Sequence, residues 1–363
     1  ELPGPDWSTL YSTVNTANLL IKYIPRIDAT EMSRNNLLAE AYTLRAYLYF
    51  VLVRTWGGVP LRVEPTEGYN PETVQKGRAT EEEVFRLIKE DLDNAIALYH
   101  DNTFWASRNR FSKPCANALK ADVYLWTAKR CGGGNADLET ALAACNEVQQ
   151  ADVMLLSNFG DLFEYNNKCN DEVIMSVAND IYDGGDNYFK DNYSGIDGSS
   201  TDPVDGEVIG TGTNGMAWTV SDLVKNQFME DDSRKAPSFT DGLRGGENGE
   251  IEYPALIRKG RGIVQNGHRY FRNDFVLYRL ADVLLMKAEA KNALGQDPSE
   301  EMNLIRKRAY GDNFEKHIFV SRSKELNDEE ILKERLLELV FEGKRWWDLI
   351  RFGKAFDIVP SLN

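Results

Sequence analysis

Apolar positions in the first half of the chain recur with the 3.6-residue period of helices. From Asn35 to Trp56, Leu37, Ala41, Leu44, Leu48 and Val51 form one stripe, and Tyr42, Ala46, Tyr49, Phe50 and Val53 form a second. A helix apolar on two faces is sandwiched between neighbours rather than lying on a surface. Gly57-Gly58 ends it and Pro60 prevents a restart. Thr80 with Glu83 has the form of a capping box, opening a helix with Val84, Leu87, Ile88, Leu92, Ala95, Ile96 and Tyr99 on one stripe. Pro114 sits where a first helical turn tolerates it. Ala116, Ala118, Ala121 and Ala128 then interleave with Leu119, Val123, Leu125 and Trp126 as far as Gly132–Gly134. Leu138, Ala141, Leu142, Cys145 and Val148 build the antiparallel return. Small side chains at contact positions permit close axial approach, so these pairs read as degenerate tetratricopeptide-like hairpins.

The pattern changes in the middle. Residues 180–272 hold 15 of the 28 glycines and are predicted to be mostly loop. They also carry Tyr182, Tyr188, Phe189, Tyr193, Trp218, Phe239, Tyr253, Tyr270 and Phe271. A linker would be polar and poor in aromatics, so the segment is expected to be ordered and packed. Helical periodicity returns at Asn273, with Leu277, Leu280, Ala281, Leu284 and Ala288 on a stripe closed by Gly295. Asp297-Pro298 with Glu300 starts a further helix, and Asn327 with Glu330 caps another running from Ile331 to about Phe352. The expected fold is mainly α: one domain over 1–363, with a helical repeat body at 1–179 and 273–363 and a loop-rich aromatic segment at 180–272.

Composition excludes several functions. The 363 residues carry a formal charge of −15, which repels phosphate backbones and disfavours nucleic-acid binding. No apolar run approaches the ~20 residues of a membrane span. Cys115, Cys131, Cys145 and Cys169 form no C-x-x-C pair and are expected to be small buried thiols. A Cys131–Cys145 bridge across the hairpin is conceivable. His100, His268 and His317 are isolated in polar surroundings, expected to be solvated and to form no metal triad. No nucleophile elbow, phosphate loop, HExxH or EF-hand loop is present.

Two stretches carry more than composition: AEAYTLRAYLYFVLVRTWGGVPL from Ala39 to Leu61, and LKERLLELVFEGKRWWDLIRFG from Leu332 to Gly353. With FVLYRLADVLLMKAEAKNAL (Phe275 to Leu294) and DVMLLSNFGDLFEYNNKCNDEVIMSV (Asp152 to Val177), they resemble the SusD/RagB family of outer-membrane glycan-binding lipoproteins. The resemblance implies a SusD-like α-α superhelix built on four tetratricopeptide-like helix pairs, with an irregular part packed on it. It further implies a lipid-anchored, cell-surface location in a Gram-negative bacterium, and delivery of oligosaccharides to a SusC-like TonB-dependent transporter. Family members begin at a lipidated cysteine and continue past the RWWDL-type motif. The first cysteine here is Cys115, so residues at both ends, the anchor included, are expected to lie outside this sequence.

Glu40, Arg45, Arg335, Glu338, Glu342 and Arg345 fall within apolar helices, where charges are expected to be paired. The sharper alternative takes Glu338 and Glu342, one helical turn apart, as a glycosidase acid–base pair. Asp191, Asp197, Asp202 and Asp205 could offer oxygen ligands to calcium, although their spacing fits no known loop; no other cofactor is expected. Sugar rings pack C–H patches on aromatic faces, so aromatics in loops are the binding candidates. The resemblance places them after the first long helix and in the irregular segment: Tyr69 and Asn70, then Tyr188, Phe189, Tyr193, Trp218 and Tyr270. Asn192, Asp186 and Arg269 are adjacent polar partners, whereas Trp56, Trp126, Trp346 and Trp347 are expected to be structural. The function expected is non-catalytic glycan capture; the alternatives are RagB-like peptide uptake and a helical-repeat protein-interaction module.

Overall fold

A computed structural model describes residues 6–68, 71, 75–182, 185–193, 196, 198–211, 218–245, 251–253 and 255–362. It divides into two compact units, Glu1–Val153 and Met154–Asn363.

The first unit is helical: α1 (Ser8–Tyr23), α2 (Glu31–Trp56), α3 (Glu81–Leu98), α4 (Lys113–Arg130) and α5 (Gly134–Val148). Helix α2 begins one turn before the apolar pattern because Thr30 caps it, its hydroxyl accepting from Ser33 N at 3.2 Å. The Thr80–Glu83 capping box forms as expected, and Ser112 caps α4 with Pro114 in its first turn. Both stripes of α2 reach the core: Ala41 and Leu48 of the first and Ala46, Tyr49, Phe50 and Val53 of the second are buried, while Leu37, Leu44, Val51 and Tyr42 are half-buried. Ala39, Ala95 and Ala116 meet with Tyr99 in one cluster, the alanine-lined contact that close helix pairing requires. Arg45 bridges α2 and α3 by gripping both oxygens of Asp91, at 2.8 and 2.7 Å.

The second unit mixes helix with short antiparallel ladders. Strand β1 (Val173–Val177) pairs with β6 (Phe275–Arg279), β2 (Leu243–Gly245) with β3 (Ile251–Tyr253), and β4 (Ile263–Gln265) with β5 (His268–Tyr270). Asn266 (φ 53°) and Gly267 (φ 75°) form the two-residue turn between β4 and β5, the conformation that Asn-Gly favours. Helices α6 (Leu280–Ala293), α7 (Ser299–Tyr310), α8 (Lys324–Leu339) and α9 (Arg345–Arg351) follow.

Three expectations change here. Residues 275–279, read as the start of a helix, are strand, and α6 begins only at Leu280. Asn327 is not a cap: Ser323 caps α8, while Asn327 is buried and donates to Asn292 Oδ1 at 3.0 Å. The final helix is also not continuous, since α8 stops before Phe341 (φ 66°) and Gly343 (φ 73°) reverse the backbone ahead of α9. The loop-rich segment is packed as expected: Phe189, Tyr193, Phe228, Phe239 and Phe271 share one apolar cluster with Leu337 and Val340 of the α8 end.

Of the motif charges, Glu40, Arg45, Arg335, Glu338 and Glu342 are ion-paired, and Arg345 donates to Leu332 O at 2.9 Å. Glu338 Oε1 accepts from Arg279 at 2.6 Å and from Arg308, and its Oε2 from Arg234 at 3.2 Å. Arg279 also reaches Glu172 and Glu342, at 2.8 and 2.7 Å. A second buried group joins Asp282 to Arg335 and Lys344, with Arg335 also on Asp348.

Candidate functional site

One cleft in the second unit collects irregular backbone from four places. Its walls come from the Leu162–Asn170 segment, Tyr188-Phe189, the start of β6 and the turn after α8. Asn187 sets the second wall: its Nδ2 donates to Gly260 O at 2.9 Å, and its Oδ1 accepts from Phe189 N at 3.1 Å. Gly260 (φ 70°) is needed there, because a Cβ would stand 2.6 Å from the Phe189 ring. Phe189 (7% exposed) therefore packs on bare backbone, and Tyr188 beside it stays 47% exposed.

Tyr188 is the centre of an aromatic group. Its ring lies 4.3 Å from Phe189, 6.1 Å from Trp218 and 6.3 Å from Phe275. The Trp218 and Phe275 planes are inclined to it by only 32° and 23°. Phe275 is 37% exposed and Trp218 half-buried, so these rings form an accessible shelf with Phe189 behind them. The Tyr188 hydroxyl donates to Phe341 O at 2.9 Å. Burial, with the Glu342 carboxylate nearby, pushes the phenol pKa up to about 12.

Below Tyr188, Glu342 accepts from Lys259 at 2.8 Å and from Arg279 at 2.7 Å. Burial alone would raise the Glu342 pKa, but these cations hold it below the ordinary glutamate value. Lys259, itself fully buried, is pushed down to about 8 by that burial, with Glu342 opposing. Polar groups border the shelf: Lys168 pairs with Asp274 at 3.3 Å, and Asp274 also accepts from Ser176 Oγ at 3.3 Å and Asn179 N at 3.0 Å. Among the described residues, Cys169, Asn266 and Phe341 are the non-glycines with positive φ, and Cys169 and Phe341 both line this cleft. Such conformations persist where surrounding structure over-determines them, and they concentrate at ligand sites.

Comparison with known proteins agrees across the chain. A profile described as the SusD family matches residues 248–359, and one described as starch-binding associating with outer membrane matches 2–125. The structure of NanU from B. fragilis is 32% identical with a TM-score of 0.83, covering 96% of this chain and 76% of that one. This chain belongs to the SusD family. A SusD-like protein of Formosa agariphila is 28% identical over 98% of this chain and 74% of its own length. A structure titled a laminarin-binding SusD-like protein is 25% identical with a TM-score of 0.76, over 98% of this chain and 79% of that one. SusD-like proteins are binding proteins and not enzymes.

Within this SusD-family chain, the residues singled out from sequence separate into groups. Tyr188, Phe189 and Trp218 come together, Phe189 as support rather than exposed face. Tyr193 is only 1% exposed, its hydroxyl spent on Ile257 O at 2.7 Å, so it belongs to the core rather than an open face. Tyr270 lies on β5 against His268 and lines no part of the cleft. Tyr69 and Asn70 lie outside the described residues. The polar neighbours are structural: Asn192 donates to Trp218 O and Ala255 O, and buried Arg269 donates to Ile209 O and Arg261 O. Asp186 holds Phe271 N and pairs with Arg272. Phe275 falls in the stretch that the sequence reads as helix; Phe275, Val276 and Tyr278, each aromatic or β-branched, are the available signal of strand.

Other sequence readings resolve similarly. Glu338 and Glu342 are occupied by arginine and lysine, which removes them from acid–base chemistry. Asp202 and Asp205 bind Arg258 and Arg261 rather than facing an open cation site, and Asp197 lies outside the described residues. His317 is not simply solvated: it stacks on Tyr310 at 3.7 Å and bonds Asp231 at 2.8 Å. Cys115 and Cys145 are buried as expected, but Cys131 is exposed and Cys169 partly so, and Cys131 and Cys145 form no disulfide. Trp126 is buried, whereas Trp346 is 44% exposed.

Proposed function

We propose that this SusD-family protein captures glycans at the cell surface, binding an oligosaccharide across the Tyr188–Trp218–Phe275 shelf. The observation that carries the reading is the pair of exposed, near-parallel rings of Tyr188 and Phe275, inclined by 23°, flanked by half-buried Trp218 at 32° to Tyr188. Aromatic faces supply rigid contact area at low entropic cost, and Lys168 and Asp274 offer a hydrogen-bond donor and acceptor beside them. The similarity to a laminarin-binding SusD-like protein supports a carbohydrate ligand. The profile described as starch-binding associating with outer membrane supports a position at that membrane, where this reading places a lipid anchor. In this reading the protein holds the glycan over a SusC-like TonB-dependent transporter and passes it inward.

A shallow, wet shelf gives dissociation constants between about 1 μM and 1 mM. Isothermal titration calorimetry against a panel of neutral plant, algal and host oligosaccharides tests it. At least one glycan is expected to bind, with the affinity falling at least tenfold in Tyr188→Ala and Trp218→Ala. Absence of binding to any oligosaccharide, or binding indifferent to both substitutions, overturns the proposal.

A further inference from the structure

Beside the shelf lies a recess of about 100 Å³, with Tyr188 and Phe275 in its wall. Its other apolar lining includes Leu162, Phe163, Val173 and Val276. An apolar cavity of about 150 Å³ takes a benzene ring, so this recess is too small for a sugar ring. It has room for a group of a few heavy atoms. A sugar hydroxyl or hydroxymethyl seated against its apolar walls, away from Lys168 and Asp274, would leave water without gaining a partner, which is costly in such surroundings. Four of the five charged groups in its lining pair with each other, Lys259 with Glu342 at 2.8 Å and Lys168 with Asp274 at 3.3 Å, and the fifth, Glu164, disfavours an anionic substituent.

We infer that the glycan recognised here carries a small apolar substituent, an N- or O-acetyl group, whose methyl sits in the recess while the sugar ring packs on Tyr188. This rests on the glycan-binding reading above and narrows it to acylated sugars. Lys168 and Asp274, also in the lining, provide a donor and an acceptor for the amide or ester of that substituent. One methyl group in a fitting apolar pocket is worth about tenfold or more in discrimination.

The experiment compares matched ligands by calorimetry: chitotetraose with cellotetraose, and acetylated with deacetylated xylotetraose. The acetylated member of at least one pair is expected to bind at least tenfold more tightly than its partner. Val276→Phe, which fills the recess from β6, is expected to abolish that preference, read as the ratio of the two affinities; thermal unfolding checks that the variant is folded. Val276→Leu, adding a single carbon, serves in its place if Val276→Phe does not fold, and is expected to lower the preference at least threefold. Equal affinity within each pair, or binding only to glycans without acyl groups, overturns the inference while glycan binding itself stands. A preference that survives both substitutions also overturns it. Failure to bind any oligosaccharide defeats the glycan reading instead, and this inference with it.

Discussion

Glu338→Gln keeps the size of a fully buried side chain and removes its charge from between Arg279, Arg308 and Arg234. Around it Glu172, Asp232, Glu334 and Glu342 also pair with Arg234, Lys259, Arg279, Arg306 and Arg308, and Arg306 reaches the more exposed Glu330 as well. After substitution, Arg279, Arg308 and Arg234 each lose one carboxylate partner in a region closed to water. Removing one partner of a buried ion pair costs about 3–5 kcal/mol, because the stranded charge keeps its desolvation penalty. For a unit of some 200 residues, about 2–4 °C of Tm accompanies each kcal/mol. The expected loss is therefore about 6–20 °C, measured by calorimetry or circular dichroism at pH 7. The double variant Glu338→Gln with Arg308→Met should be less destabilised than the sum of its singles, since each removes what the other strands. A Tm within 3 °C of the parent, or strict additivity, would refute the claim that this carboxylate is a buried counter-charge.

The same groups set the acid limit. Glu338 and Asp282 are held well below the ordinary carboxylate range by neighbouring cations that outweigh the effect of burial. Their stabilisation is fully present above the unfolded values, near 4, and is lost as pH falls toward the lower folded ones; Tm should be nearly flat from pH 7 to 5 and fall steeply below about 4. Gly260→Ala would drive a methyl into the Phe189 ring at a left-handed position, costing about 1–3 kcal/mol by thermal melt and weakening glycan binding through the displaced Tyr188. Tyr188→Phe gives up only the bond to Phe341 O, so it should lose less than about 1.5 kcal/mol of stability and retain glycan affinity within roughly threefold; a tenfold loss would mean that the hydroxyl, not the ring face, carries binding.

What could be read from sequence follows the kind of constraint acting on each segment. Helices α2 to α5 were legible because periodicity, caps and glycine stops agree at every level, as in the Thr80–Glu83 box and the alanine contact of Ala39, Ala95 and Ala116. The α6 stripe was read correctly from Leu280 onward, yet Phe275 to Arg279 was absorbed into it. A five-residue apolar strand leading directly into a buried helix has no turn residue to mark the change. The break after α8 was invisible for a related reason: it depends on Phe341 taking a positive φ, which bulky side chains rarely do. Of the candidate aromatics, Tyr188 and Trp218 stand together in the proposed shelf, and residue type and loop location mark both. Tyr193 has the same composition-level signal and is core, because only tertiary packing decides which ring of a loop faces water.

The two missed elements are connected physically to the shelf. Arg279 ends the strand that begins with Phe275, and Glu342 follows the residue whose carbonyl holds Tyr188. These charges grip each other at 2.7 Å, so one buried contact ties the β6 wall to the post-α8 wall. An aromatic shelf needs its rings held at fixed spacing on backbone that is itself irregular, and apolar packing alone specifies such spacing loosely. A directional, charge-balanced cluster beneath it supplies the missing geometric precision. On the proposed reading, the charged motif residues act as positioning groups for the shelf, although none of them needs to touch a sugar.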